Sequence, residues 1–354
     1  QSFEEEHEND VERTTVGWDA AHDEIFNRLR AGDAPDLIYL GSRWINEFAS
    51  LENGIRSLEE FMTSEMKQQY YSSVLETVQS GETTYAVPNN YSTKALIYRT
   101  DLIEDPPKTW DELVSTAQAV QNENPGIYGI GISAAAHVST VDQFSQFLYQ
   151  AGGTVFDEEG NVAFNNDTGV EALTYYTDFY LRHQLTPNPL DSNREELPNL
   201  FKNQTIAMML LGPWAHSSMG LEPENEEVPY TSAPLPSGER IATELVTDSI
   251  VMSSTSENQD SAWQFAQFIA TPEQQAQKDV IMGGVPSMPE ETEIEPRFTE
   301  DPYFKTFVDM VEYGIPAPQP AVWQPFEDII IDMVQSVLLE QATPGQAVEE
   351  AAQA

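Results

Sequence analysis

The sequence predicts an α/β protein of two domains. Its 354 residues are too many for one ordinary core. Short, continuously apolar runs alternate with amphipathic segments, and helix start and stop signals fall between them. A hydrophobic fraction of 40%, with 10% aromatics, supplies enough apolar surface for two packed lobes.

The elements follow in order. The opening SFEEEHEND reads as the last turn of a helix, so the chain is expected to begin inside an element. A short strand is expected over 11–16. A helix is expected over 19–31, where Ile25, Phe26 and Leu29 share a face and Gly32 stops it. Residues 37–40, Leu-Ile-Tyr-Leu, form an apolar run of the kind buried parallel strands carry. Trp44 starts the next helix. Strands follow over 85–87 and 95–98, on either side of a polar segment over 89–94. Thr109 precedes WDELVSTAQAV, and Glu112 three residues later completes a capping box. Pro106-Pro107 just ahead is a stiff connector suited to a crossing between lobes. A strand is expected over 128–132, a helix over 141–150 ended by Gly152-Gly153, and a tyrosine-rich helix over 168–183. The apolar run 206–211 ends at Gly212-Pro213-Trp214. A strand over 245–252 leads to a helix over 261–270, and helices over 326–339 and at the acidic terminus close the chain. The alternation covers sheets with helices.

Composition narrows the function. No cysteine is present, which removes disulfides, thiolate metal sites and cysteine nucleophiles together. No apolar run approaches the roughly 18 residues of a membrane helix, and no basic segment leads into an apolar one as in a signal peptide. Fifty-nine acids face sixteen bases, for a net charge of −43. Self-repulsion at that density opposes the compact state in dilute buffer. Between physiological and molar salt the Debye length falls from about 8 Å to about 3 Å, and the repulsion is screened. A saline habitat accounts for the charge more simply than a polycationic partner. Nucleic acid is excluded as a partner, because phosphate binding needs a basic surface. No cofactor and no metal site is read from the chain. His137 is one of five scattered histidines and reads as a loop residue.

Four segments in register carry a family resemblance: AGDAPDLIYLGSRWINEFA (31–49), YAVPNNYSTKALIYRTDLIEDPPKTWDEL (85–113), LFKNQTIAMMLLGPWA (200–215) and SAWQFAQFIATPEQQ (261–275), the last followed by GGVPSM (283–288). Together they resemble the extracellular solute-binding proteins of ABC importers, of the maltose/trehalose or family 1 sugar-binding type. The resemblance implies a two-lobed, periplasmic-binding-protein-like fold of type II, with crossing segments at a hinge and an interlobe cleft for sugar. On that pattern the first lobe is 1–102 plus 246–311, and the second is 103–245 plus 312–354. Members begin with a strand and a full helix, so residues upstream of Gln1, and membrane anchoring through them, are expected in the natural protein. At Thr247-Asp248 this sequence departs from the glycine pair usual in the family, which bears on the hinge there. The implied partners are a carbohydrate and the membrane permease subunits of the importer, for a monomeric, extracellular or periplasm-equivalent protein.

A sugar offers flat C–H faces ringed by hydroxyls, so its site wants aromatic platforms beside planar polar groups. Trp214, delivered by a strand end and a Gly-Pro turn, matches the family's stacking tryptophan; a core tryptophan is the alternative. Arg43 and Trp44 follow the strand over 37–40, beyond whose carboxyl end ligands gather; surface packing is the alternative. Asn89, Asn90 and Tyr91 sit in the polar segment between strands, where asparagine also serves turns for backbone reasons. Asp142 and Gln143 begin the helix after the His137 loop, a place where members bind sugar hydroxyls and where helix capping would also use an aspartate. Gly283 and Gly284 match a loop that lets backbone approach ligand. Trp323 corresponds to an aromatic platform near the C-terminal helices. Trp18, Trp110 and Trp263 read as core or interlobe packing.

Other functions stay open at this stage. A glycoside hydrolase works with two carboxylates about 5–10 Å apart, but among 59 acids any spacing can be found. No HExxH, GxSxG, P-loop or GxGxxG stands in a supporting context. A sugar-sensing receptor of the same fold, or the same fold with a polyamine or metal chelate, completes the set.

Overall fold

The structure, a computed structural model, describes residues 2–7, 10–223 and 225–354. Packing divides the chain into two compact units. The first comprises Gln1–Tyr91, Val246–Pro296 and Gln319–Trp323; the second comprises Ser92–Leu245, Arg297–Pro318 and Gln324–Ala354. The chain leaves the first unit at Tyr91, upstream of the expected residue 102, so Pro106-Pro107 lies within the second unit. It returns inside one strand, Thr243–Met252, between Leu245 and Val246. Two short passages at 296/297 and 318/319, and a last one after Trp323, take the place of the single crossing expected near 311.

In the first unit, Leu37–Gly41 pairs antiparallel with the end of the Thr243–Met252 strand, Leu37 facing Met252 and Gly41 facing Asp248. Ala86–Ser92 flanks that strand on its other side. The expected parallel strand is therefore antiparallel: an apolar run reports burial, not direction. Thr247 has a role of its own. Its hydroxyl accepts from Thr77 Oγ1 at 2.6 Å and its N–H donates to Ser42 Oγ at 3.2 Å. The helix Gln259–Ile269 buries Ala262, Trp263 and Ala266. They join Leu58, Met62, Val87, Ile250 and Met252 in one apolar cluster. Trp263 sits there 5.4 Å from the Phe61 ring. Trp263→Ala is expected to cost about 3–5 kcal/mol of stability, read as a lowered denaturation midpoint.

In the second unit, Ala95–Arg99 is the middle strand, paired antiparallel with Met208–Leu211 and with Tyr230–Ala233. Trp110–Glu123 starts as its cap predicts: Thr109 Oγ1 accepts from Glu112 N at 3.2 Å. The reciprocal bond of the capping box goes one residue upstream, from Lys108 N to Glu112 Oε2 at 2.7 Å. Trp110 lies flat on Tyr175, rings 3.9 Å apart and 6° from parallel, and donates to Gln150 Oε1. It is a core residue, as the sequence suggests.

Three expectations need correction. Residues 11–16 form no strand and are largely exposed; their two apolar residues, Val11 and Val16, point to opposite faces at a period of two, so no face exists to bury. Residues 128–132 pair only through isolated bridges, Tyr128 to Ile206 and Gly131 to Met209. Trp18 is not core: it is the first residue of the Trp18–Ala31 helix and 45% exposed. The opening residues do form a helix, Ser2–His7.

Candidate functional site

The second unit holds a small pocket lined by Lys94, Ser133, Ser139, Asp142, Gln143, Gln146, Arg194, Leu210 and Leu211. Its apolar wall is the end of the Met208–Leu211 strand. The chain then turns through Gly212-Pro213 and places Trp214 at the head of the Ala215–Met219 helix, half-buried. Gly212 is required there. A β-carbon on it would stand 2.4 Å from the indole Nε1, so only glycine lets the ring fold back along the strand end.

The polar wall comes from the helix Val138–Gln150. His137 caps it, its ring accepting from Ser139 N at 3.1 Å. Asp142 is therefore a second-turn residue, and the capping alternative for it is overturned. Asp142 is 5% exposed, and its Oδ2 lies 3.3 Å from Arg194 Nη1. Arg194 is held in turn by Glu195 at 2.9 Å and by its own N–H on Ser139 Oγ. Gln143 Oε1 accepts from Ser133 N at 3.1 Å, which directs its amide NH2 to the pocket. Tyr176 donates to the Ser133 carbonyl. Burial drives its phenol pKa far up, so it stays a neutral donor and fixes that wall. Gln146 is spent on structure: it donates to Ala242 O and accepts from Glu244 N. The wall thus presents a carboxylate, a guanidinium, an amide and a hydroxyl at fixed positions over two leucines. Such a set matches vicinal hydroxyls, each a donor and an acceptor at once.

In the first unit, Arg43 and Trp44 close the single turn Ser42–Trp44 after the Leu37–Gly41 strand. The Arg43 guanidinium lies 5.4 Å from the ring centroid of Trp323, a cation–π pair. Trp44 packs among Trp18, His22 and Phe48, ring centroids 5.4–6.1 Å away. The turn expected at Asn89, Asn90 and Tyr91 is strand, within Ala86–Ser92. Tyr91 is fully buried, 6.4 Å from Tyr71 and bridged to Val285. Gly283 ends the Pro272–Met282 helix at φ 70°. At Gly284 a β-carbon would meet Asn90 Oδ1 at 2.3 Å and Asp279 Oδ1 at 2.8 Å. The space a side chain would fill there is taken by protein atoms.

Sequence reasoning reached Asp142 and Gln143 but missed Lys94 and Arg194 in the same pocket. The one signal in the sequence was scarcity, since the chain keeps only six lysines; that Lys94 is 7% exposed, a costly place for a charge, shows only in the fold. Among the described residues no three His, Cys, Asp or Glu side chains converge as metal ligands, and no helix is long and apolar enough to cross a membrane.

Two α/β units, with a small polar pocket beside a strand end and a tryptophan three residues further along the chain, fit a protein that binds a small solute. The chain belongs to the family of bacterial extracellular solute-binding proteins, whose pattern matches residues 1–276. It is 26% identical over 345 residues to a Brucella abortus protein described no further than as a binding protein, covering 95% of this chain and 82% of that one. An ABC-transporter solute-binding protein of Thermotoga lettingae, bound with α-D-tagatose, superposes with a TM-score of 0.90. Its identity is 26%, over 99% of this chain and 92% of that one. A maltose-bound T. maritima protein, MalE3, gives a TM-score of 0.88 at 25% identity over 99% and 93%. The two-lobed α/β fold is thus shared with sugar-bound members.

Proposed function

We propose that the chain binds a carbohydrate, of di- or oligosaccharide size, and delivers it unchanged to the membrane permease of an ABC importer. The observation that carries this is the pocket in which Asp142, Gln143 and Arg194 face Leu210 and Leu211, one turn before Trp214. Paired polar groups beside an aromatic plate suit a sugar ring. The tagatose and maltose held by solved relatives support the class of ligand. On this reading the protein works as an extracellular monomer, anchored to its membrane through a preceding segment, in a saline environment. A thermal-shift panel of sugars, run in molar salt, tests it: at least one di- or oligosaccharide raises the melting temperature, and a panel without any shift sinks the proposal.

Binding without chemistry has its own check. After prolonged incubation the bound sugar is expected back intact by mass spectrometry. Cleaved product that tracks the purified protein would make the chain a glycoside hydrolase. Delivery to a permease, as against a sensor, is supported by family membership and tested by finding permease genes beside its own.

A further inference from the structure

The pocket beside the Met208–Leu211 strand end offers more hydrogen-bond donors than acceptors. Gln143 is 6% exposed, and Ser133 N, which only donates, holds its amide oxygen at 3.1 Å. The NH2 is left to the pocket, with two protons and no hydrogen bond among the described residues. Lys94 brings its side chain there, because its main-chain N–H and carbonyl are both engaged by the Thr243 hydroxyl, at 2.7 and 3.3 Å. An ammonium carries three donors and no acceptor. Arg194 carries five donors; its Nη1 goes to Asp142 at 3.3 Å and its Nε to Glu195 at 2.9 Å.

The acceptors are largely spent. Among the described lining residues Asp142 is the one carboxylate, and it already takes the Arg194 bond. The Gln146 amide oxygen accepts from Glu244 N, and Ser139 Oγ accepts from Arg194 N. The Ser133 hydroxyl donates or accepts as its partner requires.

That imbalance selects among sugars. A neutral hydroxyl that accepts from Gln143 or Lys94 brings a proton of its own, which needs an acceptor in turn. A buried donor left without one is costly. A carboxylate or sulfate oxygen accepts several bonds and places no proton, and its charge-assisted bonds are the stronger kind. The cations point the same way. The chain has 16 bases in 354 residues, yet two of the nine described lining residues are bases. A net charge of −43 repels an anion at range, so an anionic ligand needs cations at the point of contact. We propose that the pocket takes an acidic sugar, whose carboxylate or sulfate is held by the Gln143 amide and the Lys94 ammonium. This rests on the carbohydrate-binding reading and narrows it.

The test uses maltose, cellobiose and galactobiose, each beside its C6-oxidised uronate and its 6-sulfate. Melting and calorimetry are run in molar NaCl, where a Debye length of about 3 Å screens long-range repulsion and leaves buried contacts less affected. At least one acidic member is expected to bind about tenfold or more tighter than its neutral parent. Preference for the uronate or for the sulfate identifies the group. A ratio below tenfold throughout, with neutral parents bound, overturns the acidic reading and leaves carbohydrate binding in place. A panel in which nothing binds removes both.

Three variants locate the preference. Lys94→Met keeps the stem and removes the ammonium, and the acidic ligand should lose about ten- to a hundredfold in affinity while its neutral parent changes little. Gln143→Glu keeps the acceptor for Ser133 N and turns the NH2 into an anionic oxygen, so it should reverse the preference. Lys305→Met makes the same change in total charge at an exposed lysine paired with Asp309, outside the pocket, and should keep wild-type selectivity. Equal losses in Lys94→Met and Lys305→Met would trace the preference to overall charge and overturn the proposal. So would wild-type selectivity in both Lys94→Met and Gln143→Glu, with melting showing each folded.

Discussion

Trp214→Ala is expected to abolish sugar binding while the protein stays folded. The indole stands just past the end of the Met208–Leu211 strand, packed against Gly212 and half-buried. Truncating an aromatic anchor in a desolvated contact typically costs about 2–4 kcal/mol, a loss of roughly 30- to 1000-fold in affinity. The ring fills no closed core, so the melting temperature should move little. Trp263→Ala supplies the contrast: its ring belongs to the apolar cluster of the first unit, so stability drops and affinity holds. Calorimetry and melting of both variants in one high-salt buffer separate the cases. Wild-type affinity in Trp214→Ala would remove the pocket from the binding role and, with it, the assignments of Asp142, Gln143 and Arg194.

Much of the fold was legible in the sequence because its signals are local. Thr109 and Glu112 mark a helix start through bonds that span four residues. Gly32 marks a stop by adopting φ 73°, where other residues are strained. Strand direction was not legible. Leu37–Gly41 pairs with residues more than 200 positions away, and nothing in Leu-Ile-Tyr-Leu specifies that partner's direction. The strand expected over 11–16 failed for a reason open to inspection, since β-branched residues without a common face give no burial.

The candidate site was legible where position along the chain marks it. Trp214 is proposed from its place after a strand end and a Gly-Pro turn, and the structure sets it there, half-buried. Asn89, Asn90 and Tyr91 were expected on a turn, because asparagine marks turns by its backbone habits, whereas here they continue a strand. Arg194 escaped because it lies in an acidic loop, DSNREELPN, far in sequence from Asp142. Only the folded chain shows the ion pair, 52 positions apart. Gly284 shows the other limit: the sequence gives no sign that Asn90 and Asp279 pack where its β-carbon would stand.

The melting temperature is expected to rise steeply between about 0.1 and 2 M KCl or NaCl, because salt shortens the range of charge repulsion. Sixteen bases can neutralise at most sixteen of 59 acids, which leaves a net charge of −43. Two like charges 10 Å apart in water repel by about 0.4 kcal/mol before screening. A Debye length of about 10 Å at 0.1 M reduces that roughly threefold, and one of about 3 Å at 1 M reduces it roughly thirtyfold. A few tens of such pairs, worth about 0.15 kcal/mol each at 0.1 M, sum to several kcal/mol that molar salt removes. At about 2–4 °C per kcal/mol, the shift is on the order of 10 °C. Acid distinguishes this cause from a general effect of salt on apolar burial. Near the sequence pI of about 4.1 the carboxylates take up protons, the repulsion fades, and the salt dependence should shrink with it. A melting temperature flat in salt at neutral pH would remove the saline-habitat reading and return the acidic surface to a polycationic partner. A salt dependence equally steep at pH 4.5 and pH 7 would show that the charge is not its source.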